Sequence, residues 1–553
     1  MEFLKYVSIS ILIIISFSFP KLFSQYNSAD TVENKTYPYE LMINDIKITR
    51  NNVFSKGNKD WFFLSPILNS LHFVTRPSVI KGELLFDKNA MTTIDDIDET
   101  ERNLRATGLF TSVDIELDSL GYNQYNASII THDRWSAFPL PQLNVGGNAN
   151  KIGAEFTEFN LFGTGTLFKV EGAYRTENNI GWGGGLQLYN YRFPGTEFRD
   201  SLYLYVNKIK TQQVALIEIP YRRLSSRFAL GALANNTFGN DYYYHSSKEY
   251  ELINQKQTDL ELWYSHAWWS IDRFFITPYL GFNWATRPSP KFEQAFDNSG
   301  YFLLNFSSLS QKFDVVNKLN AFSDEDLIYG GWGSASIGKI FSLNSKGENL
   351  NYIMGSAEAS FYNQKSYIFL SAAGGSAFTN RAVAKYTYQE ASINYFVHFA
   401  KNLLFTGRFL QQTVWNWNKF RQLIMDTESG IRGVDLNQFS GDNRIVSNYE
   451  LRFFPEWEFY ILQFSTVVFF DLGASWSQGE KIKNVEFQKS AGLGLRVHLT
   501  KSQNPSHIVR IDFPYYMNER KFGVIISSSQ MFGSFTNIMF KLPKILGRVV
   551  DFD

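Results

Sequence analysis

Over much of its length the chain alternates apolar and polar residues with a period of two. Tyr449, Leu451 and Phe453 fall on one face of a run whose other face carries Asn448, Glu450 and Arg452. Val468, Phe470, Leu472, Ala474 and Trp476 oppose Ser465, Asp471, Gly473 and Ser475. Leu493, Leu495, Val497 and Leu499 oppose Gly494, Arg496, His498 and Thr500, and Val509, Ile511 and Phe513 oppose Arg510 and Asp512. Successive side chains of a strand point to opposite faces, so each run predicts a strand with one apolar and one polar side. Trp415 and Trp417, alternating with Asn416 and Asn418, predict another.

The pattern divides the chain in two. Residues 38–136 mix helix and strand, whereas 137–532 are almost wholly strand-like. In the first part Ile43, Ile46 and Ile48 sit in a strand leading to the turn signal Asn51-Asn52. Asp95 to Arg105 predicts a helix with acidic residues at its start and Arg102 and Arg105 near its end, as the helix dipole favours. Gly108 is its stop signal. Val113, Ile115 and Leu117 mark a further strand, and Ala127 to Thr131 another, giving a small α/β module.

Composition decides what the long strand-rich part is for. Only 19% of residues are charged, where about 25% is usual in globular chains. Aromatics reach 17%, with 51 Phe and 30 Tyr. A transmembrane β-barrel needs an outward apolar band edged by aromatic girdles, and a soluble sandwich does not. The expected architecture is therefore an all-β transmembrane barrel preceded by one small α/β domain. A net charge of +0 gives no basic surface for nucleic acid. The absence of cysteine excludes disulfides, thiolate metal sites and cysteine nucleophiles.

The two ends add expectations about compartment. Lys5 precedes an apolar run, Val7 to Phe19, and Leu22-Phe23-Ser24 precedes Gln25, as in a cleaved secretory signal over residues 1–25. The run is shorter than the roughly 20 apolar residues of a spanning helix. A polar linker, 26–37, follows. No other stretch is a candidate transmembrane helix, so export points to the outer membrane of a Gram-negative-type cell. The last strand is expected from Phe522 to Phe532, ending on an aromatic. An extension, 533–553, with Lys541, Lys544 and Arg548 among apolar residues, is expected to form a periplasmic helix or strand.

Candidate chemistry is sparse. The histidines, at 72, 132, 245, 266, 398, 498 and 507, have no metal-ligand spacing. There is no GxSxG elbow, and Gly331-Trp332-Gly333-Ser334 lacks the helix that a phosphate loop requires. No catalytic residue, cofactor or metal is expected. His498 and Ser475 are the inward pair that an outer-membrane phospholipase reading would need. A different pair is chemically sharper: Arg432, in Gly430-Ile431-Arg432-Gly433-Val434, is a candidate partner of Asp471, because guanidinium and carboxylate pair in a planar fork. Glu450 and Asp512 have the same facing and are secondary candidates.

Several motifs carry a family resemblance. Ser78 to Phe86, Glu101 to Phe110 and Asp133-Arg134-Trp135-Ser136 resemble a POTRA domain, here 38–136, with Lys56 to His72 lengthening the connection after the first strand. Glu158-Phe159-Asn160-Leu161-Phe162-Gly163-Thr164-Gly165 resembles the first barrel hairpin of the BamA/TamA outer-membrane insertase superfamily. Ile431-Arg432-Gly433 resembles its lumen-loop signature, and Phe469-x-Asp471-x-Gly473 the partner motif on a late strand. The resemblance implies a single-POTRA barrel of about sixteen antiparallel strands, or about 25 residues per strand and connection. It implies a loop folded into the barrel so that Arg432 meets Asp471.

By the same resemblance the activity is insertion or translocation of other polypeptides, without enzymatic chemistry. Unfolded or secreted clients would bind the POTRA edge by strand addition while a barrel seam opens to the bilayer. Accessory periplasmic proteins or lipoproteins are further expected partners. A two-partner secretion pore, and a structural or lipid-handling barrel, stay open as alternatives. A two-partner pore usually carries a plug helix ahead of its barrel, for which no candidate is seen beyond the signal.

Overall fold

The computed structural model of the chain describes residues 40–57, 61–145, 150–176, 180–193, 195–244, 250–268, 272–286, 297–320, 322, 324–344, 347–417, 422–499, 501, 508–528 and 537–546. The expected signal peptide and linker, and Phe532, lie outside these residues. The chain forms two compact units, one holding residues up to Trp135 with the short segment Asn160–Gly165, the other holding most of the rest.

The first unit runs β1 (Glu40–Asn51), α1 (Ser65–Leu71), α2 (Pro77–Glu83), β2 (Ala90–Thr93), α3 (Ile94–Ala106), β3 (Phe110–Gly121) and β4 (Gln124–Asp133). Its sheet order is β2-β1-β4-β3, with β1 parallel to β4 and the other pairs antiparallel. A register shift between Ile43 and Asp45 lets β1 turn Leu41 and Ile43, then Ile46 and Ile48, toward one core. Helix α3, expected from Asp95, starts one residue earlier because Thr93 caps it: the Thr93 hydroxyl accepts from Asp96 N, and the Asp96 carboxylate accepts from Thr93 N, each at 3.2 Å. Gly108 follows α3 with φ +74°, the left-handed geometry of a helix stop. Strand β2 was not expected; four residues are too few for an alternation to show.

Within this unit the 160–165 segment is tied down by its backbone. Arg76 N donates to Gly163 O at 2.8 Å, and Asn160 Nδ2 to Thr75 Oγ1 at 2.8 Å. Gly163 has φ +74°, and a Cβ there would lie 2.6 Å from Val74 O, so both conformation and space demand glycine. Asp133, fully buried, accepts from Thr75 N at 2.7 Å, Thr75 Oγ1 at 2.8 Å and His72 Nε2 at 3.0 Å.

The second unit is a closed antiparallel barrel. Among the described residues twenty strands, from Ala137–Val145 to Val524–Ser528, each pair with the strands before and after them. The expectation of sixteen is corrected. That number came from resemblance, and the chain length fits more strands because connections are shorter than assumed; two residues join Leu350–Asn363 to Ser366–Phe378, for example, and two join Ala384–Ala400 to Leu403–Trp415.

The barrel wall is polar inside and apolar outside. On Asp272–Thr286, Arg273, Thr277, Tyr279 and Asn283 are buried inward while Leu280 and Trp284 are exposed. Leu493 and Phe513 are likewise exposed, opposite buried Arg496 and Asp512. An exterior of this kind is at home in lipid, and closure satisfies the backbone groups there.

Three further expectations are corrected. Glu158–Gly165 joins the second and third barrel strands, Lys151–Glu158 and Thr166–Arg175, rather than forming the first hairpin. Trp415 ends the strand Leu403–Trp415; Asn416 has φ +58°, and Trp417 turns into a buried cluster instead of continuing the strand. Instead of one strand from Phe522, Lys521–Phe522 and Val524–Ser528 are separate short pieces.

Closure is narrow among the described residues, where Val524, Ile525 and Ile526 pair with Val145, Asn144 and Leu143, three pairs on a strand of nine residues. Pro139 and Pro141 lie earlier on that strand and lack N–H donors. Proline is tolerated where a strand edge needs no donor, and here the seam ladder begins only beyond both prolines.

Candidate functional site

The inward faces of Asn443–Phe453, Leu462–Trp476, Gln488–Leu499 and Ile508–Tyr516 lie side by side in the wall. Parity alone therefore gathers Asn448, Glu450 and Arg452, then Phe469, Asp471 and Gly473, then Arg496 and His498, then Arg510 and Asp512. Between Leu403–Trp415 and Asn443–Phe453 the chain forms a two-stranded hairpin, Leu423–Met425 with Phe439–Gly441, whose tip carries Arg432. The tip is held by Asp426: its carboxylate accepts from Glu428 N at 3.0 Å, Ser429 N at 2.8 Å and Asn437 N at 2.8 Å. Gly430 and Gly433 take φ +137° and +84°, which turn the chain sharply on either side of Ile431 and Arg432.

The Arg432 side chain is fully buried. Nε donates to Asp471 Oδ2 and Nη2 to Asp471 Oδ1, both at 2.8 Å, a bidentate pair. Nη1 donates to Glu450 Oε1 at 2.8 Å and lies 3.6 Å from Asp512 Oδ2. The guanidinium carbon stands 3.5 Å over the Phe469 ring. Burial alone would lower the Arg432 pKa, but Asp471, then Glu450 and Asp512, outweigh it and hold it above its ordinary value.

Each residue of the Phe469-x-Asp471-x-Gly473 pattern thus has a separate task on one face. Phe469 carries the guanidinium, Asp471 pairs with it, and Gly473 leaves room for the hairpin. Ile431, also fully buried, packs with Met425, Val434, Val446 and Tyr516. All eight expected residues, Ile431, Arg432, Gly433, Glu450, Phe469, Asp471, Gly473 and Asp512, meet in this one region.

Three more arginines complete the cluster, and sequence reasoning had placed them only as polar-face residues. Arg452 Nε donates to Glu450 Oε2 at 2.8 Å, Arg496 Nη1 to Asp512 Oδ1 at 2.6 Å, and Arg510 Nε lies 3.3 Å from Asp512 Oδ2. Asn448 Nδ2 bridges Gly430 O at 2.5 Å and Asp471 Oδ1 at 2.8 Å. The signal for them was available: all share the inward parity of the acids they meet. Desolvating so many charges is offset only by close opposite charges and hydrogen bonds such as these, so the cluster favours one arrangement of loop and wall.

The Ser475 and His498 pair that a phospholipase reading would need does not form. Ser475 Oγ donates to Leu423 O at 3.0 Å, and His498 Nε2 instead meets Ser465 Oγ at 2.8 Å. Ser465 and His498 are both buried and face inward, away from the lipid side, and His498 Nδ1 has no hydrogen-bond partner among the described residues. A nucleophilic serine needs an oriented base within reach of its substrate, which this placement does not offer to a lipid.

No protein-family model and no curated relative matches the sequence. Solved structures similar to it include BamA from Haemophilus ducreyi lacking POTRA domains 1–3, at 10% identity over 88% of this chain and 84% of that one, TM-score 0.37. CdiB from Escherichia coli is 10% identical over 91% of this chain and 92% of that one, TM-score 0.44. The siderophore receptor PirA from Pseudomonas aeruginosa is 10% identical over 76% and 87%, TM-score 0.36. At 10% identity, residue roles do not pass from these barrels to this chain.

Proposed function

We propose that this chain is an outer-membrane barrel of the BamA/TamA type that inserts or translocates other polypeptides without covalent chemistry, with its α/β unit acting as a single POTRA domain in the periplasm. The observation that carries the reading is Arg432, delivered by a loop folded against the inner wall and gripped by Asp471 within the Phe469-x-Asp471-x-Gly473 pattern. The cluster acts as a brace that holds the loop while other parts of the wall move.

Two features supply what such an activity needs. The seam, with three residue pairs among the described residues, is a place where the wall can part toward lipid. In the α/β unit, β3 is a 12-residue strand at the sheet edge, long enough to take an added client strand through main-chain hydrogen bonds. Periplasmic proteins or lipoproteins that deliver clients are the accessory partners this arrangement calls for.

The test is reconstitution in liposomes, following the insertion of an unfolded barrel client. Faster insertion than into empty liposomes is expected; equal rates would remove the reading. A secretion pore is the second reading, favoured by one observation, a segment of polypeptide lying along the inner wall.

A further inference from the structure

That segment is Asn537–Leu546, within the 533–553 extension that was expected to form a periplasmic helix or strand. It forms neither; the irregular chain follows the inner wall. At one end it uses backbone that the sheet leaves open. The strand Asp324–Ser342 pairs with Leu350–Asn363 only from Gly331 onward. Just before that point Ile538 N donates to Ile328 O at 3.0 Å, and Ile328 N to Asn537 Oδ1 at 2.8 Å. Gln311 Nε2 donates to Ile538 O at 2.6 Å.

The middle is anchored by side chains. The Phe540 ring sits 4.9 Å from Tyr221, 4.9 Å from Phe275 and 5.7 Å from Trp332, an aromatic pocket on the inward face. Lys541 pairs with Glu358. At the far end Leu546 N donates to the Tyr352 hydroxyl at 2.8 Å, and Ile545 and Leu546 are buried with Trp263, Tyr301 and Met354. Tyr352 lies opposite Gly338, ten residues along the strand from Ile328. Extended chain from Ile538 to Leu546 covers about 27 Å at ~3.4 Å per residue, comparable to the ~25 Å height of an outer-membrane apolar band.

A polar-lined interior has no reason to carry this aromatic and apolar track unless something covers it. We infer that the track is a binding site for an extended polypeptide segment with an apolar-aromatic-lysine pattern, and that Asn537–Leu546 is its resident, displaceable occupant, a plug. The occupant is held by few and simple contacts: one main-chain bond at an open strand edge, backed by the Asn537 side chain, one aromatic pocket and one acid. Occupation of the track follows from geometry alone, whereas exchange for a client rests on the polypeptide-handling reading above.

Planar-bilayer conductance of the full chain tests this. Phe540→Asp with Lys541→Glu, checked for a heat-modifiable folded barrel, is expected to raise single-channel conductance several-fold. A synthetic peptide of residues 537–546 then restores the low level, and a peptide of scrambled order does not. Unchanged conductance, or an open variant indifferent to the peptide, overturns the plug. Should that variant not fold, Gln311→Cys with Ile538→Cys decides in a chain with no other cysteine. Reduced protein is expected to bind labelled peptide and oxidised protein to exclude it; equal binding overturns the inference. Peptide-gated conductance without client insertion would refute the insertase reading and leave the plug standing.

Discussion

Gly473 lies beneath Ile431 so closely that a Cβ added to the glycine would stand 2.9 Å from Ile431 Cδ1. The same Cβ would meet Ile445 O at 2.8 Å and Met425 Sδ at 2.9 Å, and a carbonyl cannot step aside as a side chain can. Gly473→Ala is therefore expected to lift the hairpin from the wall and lose about 1–3 kcal/mol. The measurement is the temperature at which the folded band is lost in a gel-shift series; an unchanged transition would show that the hairpin does not need this contact.

Removing one member of the Arg432 and Asp471 pair leaves a buried charge without its partner. Arg432→Ala and Asp471→Asn are each expected to lose about 3–5 kcal/mol, read from urea midpoints at constant slope. Arg432→Lys is not expected to rescue, because an ammonium cannot make the parallel pair to Oδ1 and Oδ2. Replacing both by apolar residues, Arg432→Met with Asp471→Leu, should recover much of the loss. If the double variant is as unstable as the sum of the singles, the penalty is not that of an orphaned charge.

The seam gives a prediction about activity rather than stability. Leu143→Cys with Ile526→Cys joins two residues paired across the closure. Oxidised protein is expected to keep its folded band but lose client insertion in liposomes, with recovery on reduction. Full activity in the crosslinked form would mean that the wall does not part there.

In the α/β unit, Thr93→Ala removes the cap of α3, where the hydroxyl meets Asp96 N and the backbone meets the Asp96 carboxylate. A loss of about 1 kcal/mol is expected. Hydrogen exchange of the α3 amides reports it, while exchange in the barrel strands should not change.

Much of this protein is local in origin and so can be read from the chain. Strand alternation, the facing of Asp471, Glu450 and Asp512, and the helix read from Asp95 with its stop at Gly108 depend on neighbours two to four residues away. The glycines around Arg432 belong with them, since φ above zero is a property of single residues. Strand number was not legible, because it depends on how short each connection is and where pairing stops. Nor was the seam, since only pairing between opposite ends of the barrel shows how few of the described residues join there.

The tail shows the division most clearly. Residues 537–546 carry no periodicity that distinguishes an inward path from a periplasmic one; their place is decided by Ile328, Phe275, Trp332, Glu358 and Tyr352, some 180 to 270 positions earlier. The sequence by itself determined which residues face in and which loop carries the arginine. The tertiary structure alone decided how many strands close the wall, where its ends join and what lies inside it, because those properties arise from contacts between distant segments and have no local pattern to announce them.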